Sequence, residues 1–296
     1  MGETSERTVS EPATFVFDDE RVDTVTVKIV NGEVNVVGSE ATSARVEVAE
    51  VEGPPLTVSL EDGKLTVGYD DLRWNGFLKI TRKGWRRRAV VSLTVPQGTA
   101  VEVAAVGAGA VVSGISGPTS VQGVGGDTTL VGLSGAVRAQ TVSGNVEAQS
   151  LSGDLHFTTV SGDLTVVDGT GSAVKADSVS GNMVLDLGTV PGADVRLNTV
   201  SGEIALRLPQ RGDAEVDAST TSGRVSCAFD ELRVDGGWGA KRVSGRVGTG
   251  GTRLRAVTVS GAVAVLRRPD PEPDRVPGPD DAGGAPGGPA NLRKEA

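Results

Sequence analysis

The sequence predicts an all-β protein: a single-stranded β-helix (β-solenoid), right-handed, with about 18–21 residues per coil and a β-rich N-terminal capping region. Three observations carry this. A Ser-Gly pair returns at a nine-residue pitch, as at Ser143-Gly144, Ser152-Gly153 and Ser161-Gly162. A short apolar–polar alternation follows each glycine, as in Val146, Ala148 and Leu155, Phe157 with Glu147 and His156 between. The composition, with 42 glycines and only 3% aromatics in 296 residues, favours strands and tight turns over helices.

The elements follow in order. Residues 1–22 are expected as a polar lead-in. Residues 23–98 read as strands, because DTVTVKIV, GEVNVVG, ARVEVAEV, LTVSL, KLTVGY and AVVSLTV alternate apolar and polar positions. This part is expected to lead into the solenoid and cover its N-terminal end, since an open end exposes core and unpaired strand edges. VNGEVNVVG at 30–38 already fits the repeat. Residues 99–268 carry the repeat itself, with 246–266 expected to close the far end. Residues 269–296, rich in Pro, Gly and Asp, have too little apolar surface to order themselves and are expected to be disordered.

The repeat glycines fall at 126, 135, 144, 153, 162 and 171, then at longer steps at 181, 192, 202, 212 and 223. A strand of about five residues cannot bury its apolar face alone. Winding the chain so that successive strands stack about 4.8 Å apart gives them a shared core. Gly135, Gly144, Gly153, Gly162, Gly181, Gly202 and Gly223 are therefore the expected corner residues. Glycine there can take positive φ, serine can bond turn backbone, and both are small enough to stack.

The run of V-S-G-[DN]-[LV] units, led in by strands and by Val95-Pro96-Gln97-Gly98, resembles the bacterial DUF4097 family of β-strand-repeat proteins, also called putative adhesins. The resemblance spans roughly residues 23–266 and implies a β-helical fold. It supplies no catalytic motif. Some relatives are associated with envelope stress.

The candidate chemistry is sparse. Calcium-binding nonapeptides follow G-G-x-G-x-D-x-U-x, but here Asp directly follows Gly and the required spacing is missing, so no metal is expected. The only cysteine, Cys227, excludes an internal disulfide and a Cys-based zinc site. His156, the only histidine, is expected to point outward, and Cys227 to be a small buried thiol. The outward positions Arg138, Glu147, His156 and Thr165 mix charges and suggest an ordinary solvated face. No cofactor is expected, and the chain is read as a non-enzyme.

The most distinctive local feature is WNGFLKITRKGWRRRAV at 74–90. It holds Lys79, Arg82, Lys83, Arg86, Arg87 and Arg88 with no acidic residue, interleaved by Trp74, Phe77 and Trp85, in a chain of net charge −9. Arg clusters with aromatics suit an anionic lipid surface, or less favourably a nucleic-acid backbone. The plainer explanation is a solvated hairpin loop whose charges protect a strand edge.

The expected function is non-enzymatic interaction with a partner protein or envelope component. The alternatives are docking to an anionic membrane or nucleic acid through the basic loop, and a carbohydrate-active β-helix with outward carboxylates stacked on adjacent rungs. MGETSERTVSEPATFVF shows no basic stretch followed by an apolar one, and no run approaches about 18 apolar residues. A cytoplasmic or peripherally membrane-associated location is expected, with the extracellular surface left open.

Overall fold

The computed structural model describes residues 5–18, 20–69, 87–237 and 239–268. The tail 269–296 and most of the basic segment lie outside these residues. The described chain is all-β and forms two long sheets, one of 14 strands and one of 12.

The central coils follow the nine-residue pitch, one strand per half-repeat, alternately in the two sheets. They run from β9 (Ala100–Ala105) and β10 (Gly109–Ser113) through β11 (Thr119–Gly123), β12 (Thr128–Val131), β13 (Val137–Gln140), β14 (Val146–Gln149), β15 (Leu155–Thr158) and β16 (Leu164–Gly169). They continue through β17 (Ala173–Asp177), β18 (Met183–Leu187), β19 (Asp194–Thr199) and β20 (Ile204–Leu208). Odd-numbered strands pair in parallel in the larger sheet, and even-numbered ones in the smaller. Parallel in-register stacking puts Val137, Leu155, Val174 and Val195 in one inward column and Ala139, Phe157, Ala176 and Leu197 in the next. These side chains meet those of the facing sheet in one buried core. A bulge between Val166 and Gly169 takes up the extra residue where the pitch lengthens.

The N-terminal end is built from β1 (Ser5–Val9), β2 (Ala13–Phe17), β3 (Thr24–Ile29), β4 (Asn31–Ser39), β5 (Ala44–Glu52), β6 (Leu56–Glu61), β7 (Lys64–Gly68) and β8 (Arg88–Pro96). The first rung in parallel with the coils is β3 with β4, paired with β9 and β10. β7 and β8 stack on its other side, and β5 and β6 then run antiparallel to them. The segment expected as a polar lead-in holds β1 and β2, which become the outermost strands of the two sheets. Val9 and Phe17 are buried there, and the edges they cover would otherwise leave β5 and β6 unpaired on one side.

The C-terminal end departs from expectation in the same way. Residues 246–266 do not close it. β25 (Thr252–Thr258) and β26 (Val263–Arg267) slip in parallel between the β19–β20 rung and β21 (Ala214–Thr220) with β22 (Val225–Cys227). The end of the larger sheet is closed instead by β23 (Leu232–Gly236) and β24 (Lys241–Val247), an antiparallel pair laid on β21. Antiparallel strands suit an end because they return the chain by short connections. Asp213 clasps the turn that follows β24, accepting bonds from Thr249 Oγ1 at 2.7 Å and from the Gly250 amide at 2.5 Å. The Thr249 hydroxyl is the main reason its carboxyl lies below the usual range.

The repeat glycines are corner residues, but not because of positive φ. None of Gly135, Gly144, Gly153, Gly162, Gly181, Gly202 and Gly223 lies in the left-handed region. They stack in two columns, and a Cβ on each would run into the carbonyl of the glycine one rung below, as Gly153 over Gly135 and Gly162 over Gly144. Close backbone approach is what demands glycine. The serines likewise bond between rungs rather than within their own turn: Ser143 Oγ donates to the Val124 carbonyl at 3.0 Å and Ser161 Oγ to that of Val142 at 3.2 Å.

The corners are of two kinds. In one, Ile115, Leu133 or Leu151 precedes Ser-Gly and is buried. In the other, Thr or Ser stands three residues before glycine and its hydroxyl accepts the glycine amide, as Thr159 from Gly162 at 2.9 Å, Ser178 from Gly181 at 2.7 Å and Thr199 from Gly202 at 3.1 Å. Thr159 is buried. Thr159→Val keeps its shape but leaves a buried amide without an acceptor, and should cost about 1–3 kcal/mol. Thr159→Ser should recover most of that, as Ser178 already does this task. Urea unfolding of the two variants checks both.

Candidate binding face

Because half-repeats alternate between sheets, every second one shares a face. The four outward residues that the sequence reads as one mixed face therefore divide between two faces. Arg138 and His156 lie on the larger sheet, while Glu147 and Thr165 lie on the smaller. On the larger sheet the register continues Arg138, His156, Lys175, Arg196, Arg255 in one outward column across β13, β15, β17, β19 and β25. At about 4.8 Å per strand the column is about 19 Å long. The matching column of the smaller sheet reads Thr129, Glu147, Thr165, Val184, Ala205, Ala264, with one charge.

Alternation along each strand points these side chains outward, because their neighbours Ala139, Phe157, Ala176, Leu197 and Ala256 are buried. Lys175 Nζ lies 3.4 Å from Asp177, and Arg196 lies 2.6 Å from Asp194. Among the described residues the side chains of Arg138 and Arg255 have neither an ion-pair nor a hydrogen-bond partner, and the same holds for that of Arg253, one row over. Asp217, which ends the column beyond Arg255, is held by Arg242 at 2.7 Å. The column runs through two shallow grooves, one holding Arg138, His156 and Lys175, the other Arg196, Arg253 and Arg255. His156 lies between cations. Partial burial of its ring, then Arg138 and Lys175, lower its pKa, and Asp177 opposes them.

Of the residues singled out in the basic segment, Trp74, Lys79, Arg82, Lys83, Trp85 and Arg86 lie outside the described residues. The two that follow are tied into the fold. The Arg87 guanidinium lies 5.0 Å over the Tyr69 ring, and Arg88 opens β8 with Nε 3.3 Å from Glu50. Neither joins the column: β7, which Tyr69 follows, is separated from β13 by β3, β9 and β11.

Other candidates do not converge. His156 is on the larger sheet, and Cys227 is at the C-terminal end of the smaller one. Cys227 is half-buried rather than buried, with Sγ accepting the Phe229 amide at 3.4 Å. The residue after the corner glycine forms its own ladder. Asp127 Oδ1 accepts the Asn145 amide, Asn145 Oδ1 that of Asp163, Asp163 Oδ1 that of Asn182, and Asn182 Oδ1 that of Glu203, at 2.7–3.1 Å. Asn thus alternates with acid, so carboxylates do not stack on adjacent rungs here. The Gly-Asp pairs that invited comparison with calcium-binding repeats serve backbone amides instead. Among the described residues no group of three or more His, Cys, Asp or Glu is placed to hold a metal, and no helix is long and apolar enough to cross a membrane.

In chain order the outward residues alternate between the two sheets, which hides the basic column. Every second half-repeat carries Arg138, His156, Lys175 and Arg196, but Arg255 joins them only through the insertion of β25 beside β19.

Fold and face together define an all-β, solenoid-like protein that presents long regular sheet faces. The chain belongs to the Toastrack DUF4097 family, whose model matches residues 61–266. Among solved structures it is similar to a putative adhesin from Bacteroides fragilis, at 11% identity, covering 87% of this chain and 97% of that one, with a TM-score of 0.37. It is also similar to a putative lipid binding protein from Parabacteroides distasonis, at 11% identity, covering 88% and 97%, with a TM-score of 0.39. A putative cell adhesion protein from Clostridium sporogenes, at 11% identity, covers 87% of this chain and 100% of its own, with a TM-score of 0.22. No curated protein matches the chain.

Proposed function

We propose that this chain is a non-enzymatic binding protein whose larger sheet docks an anionic component of the cell envelope. The observation that supports this most is the gathering of Arg138, Lys175, Arg196 and Arg255 into one outward column in a chain of net charge −9. The proposal takes the coil as right-handed, with about 18–21 residues per turn and residues 23–98 as its N-terminal cap. The basic segment, with Lys79, Arg82, Lys83, Arg86 and the flanking tryptophans, is a second contact, suited to anionic lipid headgroups.

Fractionation of native cells tests the reading. The protein should sediment with the envelope at low salt and be released at about 1 M salt, where the screening length falls to about 3 Å. Arg138→Glu with Arg255→Glu should lower the sedimented share by about fivefold or more, through repulsion where attraction stood. A protein that stays in the soluble fraction at low salt, or whose capture ignores both reversals, would end this reading.

A further inference from the structure

We propose that the column Arg138–His156–Lys175–Arg196–Arg255 seats a linear phosphate polymer without bases, lying along the solenoid axis across the strands. This names a ligand class for the face proposed above and rests on that reading.

The geometry points to a linear ligand. Parallel in-register pairing places one column residue on each strand, so these side chains recur at a constant interval along the sheet. A compact anion would meet one or two of them. A chain of recurring charge meets them all. Three of the five are arginines, whose planar fork suits phosphate oxygens in pairs.

The column itself, with four cations and no carboxylate from Arg138 to Arg255, favours an incoming anion, although carboxylates flank it on the same face. Arg138 and Arg255 bound this stretch, and neither side chain has an ion-pair or hydrogen-bond partner among the described residues; beyond Arg255 the register reaches Asp217, and Arg253 lies in register between Asp194 and Glu215. The carboxylates that do engage the column, Asp177 on Lys175 and Asp194 on Arg196, form exposed pairs. Such exposed pairs are weak, so a phosphate can take the place of the carboxylate at little cost. Nucleic acid is disfavoured by what is missing for stacking. Apart from the His156 imidazole, the described strands carrying the column present no outward aromatic side chain, since Phe157 points into the core.

His156 sits at the second place in the column and makes occupancy readable. The charged groups facing it are Arg138 on β13 and Lys175 and Asp177 on β17, with Thr158 Oγ1 of its own strand 3.5 Å from Nε2. The two cations oppose its protonation. An anion laid along the column favours it, so the bound protein holds the proton to higher pH than the free protein. By linkage, the polymer should bind more tightly as pH falls through the range in which His156 titrates.

His156 is the only histidine, so its ring protons report the site alone in an NMR titration. Long-chain inorganic polyphosphate should move the titration midpoint upward, and triphosphate at equal phosphate concentration should move it less. Arg138→Ala with Arg255→Ala should weaken polyphosphate binding by about tenfold or more. His156→Gln should keep binding but lose its pH dependence. A midpoint that polyphosphate leaves in place in the wild-type protein overturns the proposal. So does single-stranded DNA of matched charge binding more tightly, which would assign the column to nucleic acid. If envelope capture still depends on Arg138 and Arg255 while the midpoint stays fixed, the face binds and only the ligand class is wrong. If capture ignores both arginines, the underlying reading has failed.

Discussion

Gly162→Ala should destabilise the protein by about 3 kcal/mol, the upper end of what overpacking costs. The added methyl has nowhere to go. An ideal Cβ at Gly162 overlaps the carbonyl of Gly144 in the rung below, and the obstacle is backbone rather than a flexible side chain. The Gly162 amide is also held by Thr159 Oγ1 at 2.9 Å, so the corner cannot swing outward without breaking that bond. Relief requires two rungs to part, which stretches the neighbouring β14–β16 ladder. Gly98→Ala is the control. That glycine has nothing within 4 Å of its Cβ position and no left-handed φ, and its change should stay within about 0.5 kcal/mol. Urea midpoints at unchanged m-value compare the two. Equal midpoints would mean that the glycine columns are not set by close approach.

Phe157→Ala is expected to cost about 3–5 kcal/mol, also read from urea unfolding. Phe157 is fully buried, and its column neighbours in the rungs on either side are Ala139 and Ala176. The large ring fits because both neighbours are small. The same arrangement makes its loss severe, since neither alanine has atoms that can collapse into the space. Phe157→Leu keeps part of the volume and should lose about 1–2 kcal/mol. A loss below about 1 kcal/mol for the alanine variant would show that the facing sheet closes the gap.

Much of the architecture was legible because it rests on short-range rules. The alternation of Val137, Ala139 and of Leu155, Phe157 marks strands buried on one side, and each proved to face the core. Gly135 and Gly153 mark corners, although the reason lies in the rung below rather than in φ. The Thr159–Gly162 bond was also within reach, since Thr or Ser precedes glycine by three at 141, 159, 178, 199, 220 and 258. The Ser-Gly pair, which marks both kinds of corner, masks this signature. The two strands within residues 1–22 were missed for a different reason. They are edge strands, more polar than those of the core, and what orders them is pairing with β5 and β6.

By itself the sequence determined that this chain is made of short strands joined at small-residue corners, with one apolar face per strand, because those are properties of neighbouring residues. The tertiary structure alone decided the order of the rungs. Gly223 stacks on Gly261, and Gly261 on Gly202, so the last coil enters between two that precede it. Nothing local predicts this, since TTSG and TVSG make equivalent corners and either could lie on Gly202. The choice follows from long-range pairing: β25 buries its apolar face between β19 and β21, and the antiparallel β23–β24 pair covers the edge that remains. The same stacking brings Arg196 beside Arg255 and completes the basic column, joining residues far apart in the chain through the register of one sheet.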